Sequence, residues 1–281
     1  MIQHILKVLI IYKVIILLML LGFNMSATAK DFLTTKLLAD KGVTSAQYEV
    51  GVMYHEGEGV SKDYSKAFRW LQKAAQNNHT EAQYSIGYMY DKGEGVPQNY
   101  AKAIEWYRKA ADRGNVYAQN NIGVKYYGGE GVAQNYTKAM KWYRKAADQG
   151  DAHAQYLVAS MYDKGEGVTQ SHTKAMKWYQ KAADQNNSYA EYEIGYMYYK
   201  GKGVKQSYPK AMKWYSKSSD HGYSKAMYNI GFMYHKGKGV EQNHDKAIEW
   251  YQKAAKQGFA GAQEAIDSIL NEKNTKFQNG R

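Results

Sequence analysis

The sequence has 281 residues, a formal net charge of +12 and no cysteine, which excludes disulfides, thiolate nucleophiles and thiolate metal sites. Its length suits one to two ordinary domains. The chain has only two prolines, and because proline breaks helices, this composition favours a chain that is helical almost throughout.

The first 29 residues differ in composition from the rest of the chain. Their only charges are Lys7 and Lys13, the run from Val14 to Phe23 is apolar, and Ala27-Thr28-Ala29 has the small-x-small pattern of a cleavage site. We interpret residues 1–29 as a signal peptide cleaved after Ala29, which predicts a periplasmic or secreted protein. The alternative is an uncleaved anchor, and only then would the protein contact a membrane. Lys13 disfavours it, because a charge inside a membrane span is costly.

A 36-residue repeat follows a predicted capping helix at residues 30–42. All six tryptophans lie on this period, at Trp70, Trp106, Trp142, Trp178, Trp214 and Trp250. So strict a period predicts a solenoid of stacked supersecondary units. We place the six repeats at residues 43–78, 79–114, 115–150, 151–186, 187–222 and 223–258. A second capping helix is predicted at residues 259–270 and a frayed polar tail at 271–281.

Each repeat is predicted to hold two helices, A and B. In the second repeat, apolar residues at helical spacing predict helix A over residues 81–92 and helix B over 99–112. Capping boxes are predicted at three helix A starts, formed by Thr44 with Gln47, Thr80 with Gln83, and Ser188 with Glu191. The position that closes helix B holds only glycine or asparagine, which predicts a left-handed backbone there: Asn78, Gly114, Gly150, Asn186, Gly222 and Gly258.

Glycine recurs inside helix A, where it weakens a helix by about 1 kcal/mol relative to alanine. The positions are Gly51, Gly87, Gly123, Gly195 and Gly231, with Ala159 in the fourth repeat. Because this loss of helix stability recurs at the same position of helix A, it predicts that another helix passes close by there. We expect the tryptophan of helix B to be the large buried side chain that packs beside these small residues.

The repeated pattern resembles a known family. Residues 82–96 read A-x-x-x-I-G-x-M-Y-x-x-G-x-G-V, and residues 102–114 read K-A-x-x-W-Y-x-K-A-A-x-x-G. This resembles the Sel-one-like repeat, a relative of the tetratricopeptide repeat, and the resemblance extends from Lys36 to Ile266. It implies an all-α, right-handed α/α solenoid, an adaptor role in protein complexes and, for bacterial members, frequent export. Lys125 and the Ser218-Ser219 pair depart from the pattern, which predicts looser packing there.

By analogy with tetratricopeptide solenoids, the free face of helix A lines a concave groove. The residues that we assign to a groove binding a protein or peptide are Tyr48, His55, Tyr84, Tyr88, Asp91, Tyr127, Asp163, Tyr196, Tyr199, Phe232 and His235. Tyrosine is enriched at interfaces because its rigid apolar ring carries a polar tip. The alternative for the first tyrosine column, which includes Tyr48 and Tyr84, is packing between repeats. We expect a monomer.

Helix B carries two lysine columns, exemplified by Lys102 and Lys109. They predict either a track for an anionic glycan or a solvated face that keeps the protein soluble. Export argues against nucleic acid as the partner, and interleaved acids such as Glu105 dilute the positive field.

The sequence offers little support for catalysis. We find no histidine pair at metal-ligand spacing with a carboxylate, so no metal, no cofactor and no enzymatic activity are predicted. Ser-x-x-Lys occurs at Ser171 to Lys174 and at Ser207 to Lys210, a spacing seen in penicillin-recognising enzymes. The companion motifs are absent, so a β-lactam hydrolase is only a remote alternative.

Overall fold

The structure, a computed structural model, describes the backbone of residues 27–279 and the side chains of residues 31–272. The predicted signal peptide lies outside the described residues except for positions 27–29. The described part contains fourteen helices and no strand, which confirms the all-α solenoid. The helices are α1 Ala27–Asp40, α2 Thr44–Glu56, α3 Tyr64–Gln76, α4 Thr80–Lys92, α5 Tyr100–Asp112, α6 Val116–Gly128, α7 Tyr136–Asp148, α8 Ala152–Lys164, α9 His172–Ala183, α10 Ser188–Lys200, α11 Tyr208–Asp220, α12 Ser224–Lys236, α13 His244–Lys256 and α14 Gly261–Asn279.

The described residues form two compact units, residues 27–118 with 130–132, and residues 119–129 with 133–279. Within each unit, helices that follow one another in sequence pack together, as helix A with helix B of one repeat and as helix B with the next helix A. Nearest-neighbour packing of this kind is the property that defines a solenoid. No helix in residues 27–279 has the length and apolar character that crossing a bilayer would require.

Most helices of the repeats begin at a side-chain cap, except α2 and α12, which follow Val43 and Tyr223 without a capping side-chain hydrogen bond. Asp63, Asn99, Asn135, Ser171, Ser207 and Asn243 cap the B helices by accepting a hydrogen bond from the backbone N–H three residues on. His79 and Asn187 do the same for α4 and α10, so Thr80 and Ser188 are the first helical residues rather than caps. The predicted capping boxes are therefore wrong by one position, and Gln83 instead donates to the backbone oxygen of Ala75 at 3.2 Å.

The turns require the glycines and asparagines that recur there. A glycine or asparagine two or three residues beyond the end of helix B is left-handed in every repeat, including Asn78 with φ 63° and Gly150 with φ 95°, which confirms the predicted backbone geometry. Gly167, in the turn after α8, is also left-handed, and its Cα faces the first turn of α7 in the preceding repeat. A Cβ added there would lie 2.6 Å from the backbone nitrogen of Thr137. This glycine therefore sets how closely two consecutive repeats approach.

A tyrosine of helix B, and not the tryptophan, packs against the glycine of helix A. A Cβ on Gly87 would lie 2.6 Å from the ring of Tyr107, and the same contact recurs at Gly123 with Tyr143. Tyr107 is fully buried, whereas Trp106 is only partly buried. Of the six tryptophans, only Trp178 is buried. The predicted close approach to helix A is confirmed, but the assignment of tryptophan as the large buried side chain is wrong.

The positions that depart from the repeat pattern are buried. Ser218 and Ser219 replace two alanines, and their hydroxyls donate to the backbone oxygens of Ser188 and Ser216 at 2.7 and 2.8 Å. Lys125 is 5% exposed. The looser packing predicted at these positions is therefore wrong for the two serines, because each hydroxyl finds an acceptor.

Capping helices flank the repeats. At the amino end, Phe32 of α1 meets the ring of Tyr54 edge-on with centroids 5.3 Å apart. At the carboxyl end, α14 packs against α13 and buries Ile266 and Ile269. This helix was predicted to end at residue 270, with a frayed tail beyond it, but it continues to Asn279.

Candidate functional site

Several of the predicted binding residues line a pocket in the first unit. It has a volume of about 350 Å³ and lies between helix A of the first repeat and helix A of the second. Tyr48 and His55 contribute from α2, and Tyr84 and Tyr88 contribute from α4. The floor includes Leu71 of α3, so the pocket has apolar walls and a polar rim.

A pocket at the equivalent repeat positions lies in the second unit. Its volume is about 290 Å³, and it lies between α10 and α12. Tyr192, Tyr196 and Tyr199 contribute from α10, and Tyr228 and Phe232 contribute from α12. Each of these residues is 144 residues, or four repeats, beyond its counterpart in the first pocket. All nine residues that line the first pocket have their counterparts in the second, so equivalent repeat positions produce an aromatic pocket in each unit.

The first tyrosine column both lines the pockets and packs between repeats. Tyr84 contacts the ring of Tyr107 in its own repeat and that of Tyr117 in the next, at centroid distances of 5.7 and 5.9 Å. Tyr228 contacts Tyr251 and Phe259 in the same way, at 5.0 and 4.7 Å. These tyrosines are half-buried. The first tyrosine column therefore combines the two roles that the sequence leaves open, since the same side chains line the pockets and pack between repeats.

Another column of helix A varies between repeats, and its side chains contact their neighbours within the chain. It holds His55, Asp91, Tyr127, Asp163, Tyr199 and His235. His55 Nε2 lies 2.7 Å from Glu94 of the next repeat, and the Tyr127 hydroxyl donates to Glu166 of the next repeat at 2.8 Å. Asp163 pairs with His172 at 2.7 Å. Asp91 and His235 are 8% and 6% exposed, so they offer a partner little surface. Partner contact at this column stays a prediction for the half-buried members.

Burial raises the pKa of two tyrosines that line the second pocket, Tyr192 and Tyr199. The pKa of Tyr192 rises to about 12, with Glu193 as the second cause after burial. These hydroxyls therefore remain hydrogen-bond donors throughout the physiological pH range. They can bind a polar group without changing charge.

Glu193, next to the second pocket, gives a pH-dependent prediction. Burial raises its pKa, Asp163 raises it further, and Lys225, Lys202 and Lys164 oppose the shift. A carboxyl with a raised folded-state pKa contributes stability at acid pH that is lost as pH rises above its unfolded value of about 4.3. We expect Glu193→Gln to melt at a higher temperature than wild type at pH 7.5 and at nearly the same temperature at pH 4.

Thermal unfolding at the two pH values measures this difference. Glu249→Gln, which removes an exposed carboxylate in the same unit, is the matched control and should leave the melting temperature nearly unchanged. An equal benefit of Glu193→Gln at both pH values would contradict the assignment of the effect to ionisation.

Both lysine columns lie over aromatic rings while remaining exposed. The column Lys73, Lys109, Lys145, Lys181, Lys217 and Lys253 places each ammonium 3.8–4.6 Å from the centroid of the tryptophan three residues earlier. The other column, Lys66, Lys102, Lys138, Lys174, Lys210 and Lys246, lies 5.2–5.5 Å from a tyrosine of helix A. Cation–π contacts of this kind favour a structural role on a solvated face.

Helix capping accounts for the two Ser-x-x-Lys sequences. The Ser171 and Ser207 hydroxyls accept hydrogen bonds from the backbone N–H of Lys174 and Lys210, at 3.3 and 3.4 Å. The same positions in other repeats hold asparagine or aspartate with the same bond. The spacing therefore arises from the repeat, and it gives no reason to assign a nucleophile.

One cluster was missed by the sequence analysis. His235, His244 and Glu272 place one potential ligand atom each within 4.8 Å of one another. The prediction that no two histidines share metal-ligand spacing with a carboxylate is therefore wrong for this trio. The sequence did not reveal this cluster because Glu272 lies in the helix after the last repeat, where the 36-residue period no longer shows which residues are equivalent.

The family was established by comparison with known proteins. The model of the Sel1 repeat matches residues 44–79, 80–115, 116–151, 152–187, 188–223 and 224–259. These six segments confirm the predicted number and length of the repeats, with boundaries one residue later than predicted. A search of curated proteins finds no match.

Solved structures give the same result. A protective antigen of uropathogenic Escherichia coli strains, displaying an SLR fold, is 40% identical with a TM-score of 0.79, over 87% of this chain and 52% of its own. The chain thus spans about half the length of that protein. A Sel1 repeat protein from Oxalobacter formigenes is 34% identical with a TM-score of 0.70, over 76% of this chain and 87% of its own. The Cut9–Hcn1 hetero-tetramer of the APC/C, at 14% identity and a TM-score of 0.54 over 90% of this chain and 50% of its own, shows the fold alone. The repeats, the helical hairpins and these similarities together establish that the chain belongs to the family of Sel1 repeat proteins.

Proposed function

We propose that this protein is a scaffold that binds segments of another protein along the A helices, with the aromatic pocket of each unit receiving a side chain of the partner. Sel1 repeat proteins are generally protein–protein interaction scaffolds, and the family is typically non-enzymatic. The proposal rests on two similar pockets that form at equivalent positions of different repeats. Other repeats hold different residues at these positions.

The size and lining of the pockets fit a protein side chain. Volumes of about 350 and 290 Å³ lie at the lower end of small-ligand sites, which enclose about 300–1,000 Å³. Tyrosine rings give apolar contact area at low entropic cost, and their hydroxyls provide polar specificity. In the third repeat the equivalents of Tyr84 and Tyr88 are Asn120 and Val124, which offer less aromatic surface.

Binding should depend on the pocket residues and little on salt. We expect Tyr88→Ala or Tyr196→Ala to lower the affinity for the partner about tenfold or more, since truncating a central aromatic residue typically costs about 2 kcal/mol or more of binding free energy. Val124→Ala, at the repeat position equivalent to Tyr88, is the matched control and should bind as wild type. Crosslinking in intact cells with mass spectrometry identifies the partner, and titration of its labelled peptides measures the affinity.

Two outcomes would contradict this proposal. Binding that survives Tyr88→Ala, Tyr196→Ala and Phe232→Ala would place the contact elsewhere. Steep loss of binding between low and high salt, with sensitivity at Lys102 and Lys109, would favour an anionic glycan on the lysine columns instead.

We also propose that the protein is exported after cleavage of residues 1–29. The charges followed by an apolar run and a small-x-small sequence support this. Mass spectrometry of the protein isolated from fractionated cells should find Lys30 as the first residue, in the periplasm or the medium. A full-length chain in the membrane fraction would contradict cleavage.

A further inference from the structure

The last repeat and the capping helix bring two imidazoles and a carboxylate together. His235 lies in the last turn of α12, His244 begins α13, and Glu272 lies on α14. The two histidine rings are perpendicular with centroids 5.2 Å apart, and His235 Nε2 lies 3.8 Å from a Glu272 oxygen. Three separate helices thus supply one potential ligand each.

In other repeats, the two positions equivalent to His235 and His244 hold side chains that contact each other. The fourth repeat has Asp163 and His172 there, which form a direct pair at 2.7 Å. The fifth repeat has Tyr199 and Tyr208, whose rings pack with centroids 5.3 Å apart. In the sixth repeat the two imidazoles lie edge-on to each other, and their Nδ1 atoms form no hydrogen bond.

The sixth repeat leaves buried polar atoms without hydrogen bonds. Nδ1 of His235 and Nδ1 of His244 are both buried and lack a partner. His235 itself is 6% exposed. Buried polar atoms are nearly always satisfied in proteins, so two imidazoles that each keep a buried nitrogen unsatisfied, in a cluster that also holds a carboxylate, indicate a missing ligand.

We infer that His235, His244 and Glu272 bind one divalent transition-metal ion, with Zn²⁺ as the best match. Two imidazoles and one carboxylate are a typical zinc ligand set, and water completes the coordination. Ligand atoms in a tetrahedral zinc site lie about 3.3 Å apart, so those of the trio would draw together by up to about 1.5 Å. Glu272, whose side chain is 45% exposed, can make most of this movement.

A bound ion would tie the last repeat to the capping helix. The terminal hairpin of α12 and α13 and the helix α14 would share three coordination bonds in addition to their apolar contacts. Because the terminal units of a solenoid have only one neighbour, they open most readily. The ion would therefore protect the carboxyl end of the array against local unfolding, since binding to the folded state stabilises it.

The test is titration of Zn²⁺ into the full-length, chelator-treated chain by calorimetry, with Co²⁺ absorption spectra reporting the ligand set. We expect one ion per chain and a rise in melting temperature. Glu272→Gln and His244→Gln should each weaken affinity at least tenfold. His172→Gln, which removes the histidine two repeats before His244, is the matched control and should retain wild-type affinity.

Three results would overturn the inference. These are absence of Zn²⁺ binding to the wild-type chain, binding that survives both ligand substitutions, and equal loss in the His172→Gln control. Survival would indicate adventitious binding by surface histidines. If His244→Gln fails to fold by circular dichroism, Glu272→Gln keeps the test decisive, because that exposed side chain can change without a cavity.

Discussion

Tyr107→Ala is expected to lower the free energy of unfolding by about 3–5 kcal/mol, the range observed for truncating a fully buried aromatic side chain. The Tyr107 ring packs against the backbone of α4 at Gly87, where no Cβ is present to fill the space that the substitution would leave. Tyr107 is 0% exposed. Urea denaturation followed by far-ultraviolet circular dichroism measures the change.

Trp106→Ala is the matched comparison, one residue away on the same helix. Trp106 is partly exposed and has Lys109 on one face of its ring at 3.8 Å, so its truncation should cost less than that of Tyr107. An effect of Trp106→Ala that equals or exceeds that of Tyr107→Ala would mean that the tryptophan is the main packing element after all.

Gly167→Ala is expected to destabilise the second unit by about 3 kcal/mol or more. A left-handed backbone costs a non-glycine residue about 1–2 kcal/mol, and overpacking adds typically 1–3 kcal/mol. At Gly167 both apply, because φ is 69° and the new methyl group would press against the backbone at Thr137. Thermal or urea unfolding reports the loss.

Gly150→Ala separates the two contributions. Gly150 has φ 95°, but nothing lies within 4 Å of a Cβ added there. Its replacement should cost only the conformational part, about 1–2 kcal/mol. Equal losses at the two glycines would show that the close approach between repeats adds nothing to stability.

The fold was predictable from sequence because each repeat supplies an independent copy of the same signal. The 36-residue period, the helical spacing and the glycine or asparagine after helix B are local patterns, and the structure confirms each of them. The capping residues were misplaced by one position because Thr80 follows His79, and both side chains can accept a hydrogen bond from a helix start.

The packing was harder to predict because periodicity does not identify contacts. Trp106 and Tyr107 recur with the same period, so the sequence could not tell which of the two meets Gly87. Of the residues assigned to the groove, four line the first pocket and three line the second. The burial of Asp91 could not be derived, since it depends on the path of the following turn.

Pairs that join consecutive repeats also constrain the order in which repeats can follow one another. His55 of the first repeat meets Glu94 of the second, and Tyr127 of the third meets Glu166 of the fourth. The fifth and sixth repeats carry Lys202 and Lys238 at the position of these glutamates. A recombination event that placed the fifth repeat directly after the first would bring a lysine to His55 and remove its acceptor. Duplication or deletion of near-identical 36-residue segments is therefore not neutral at every junction, although the hairpins themselves are interchangeable.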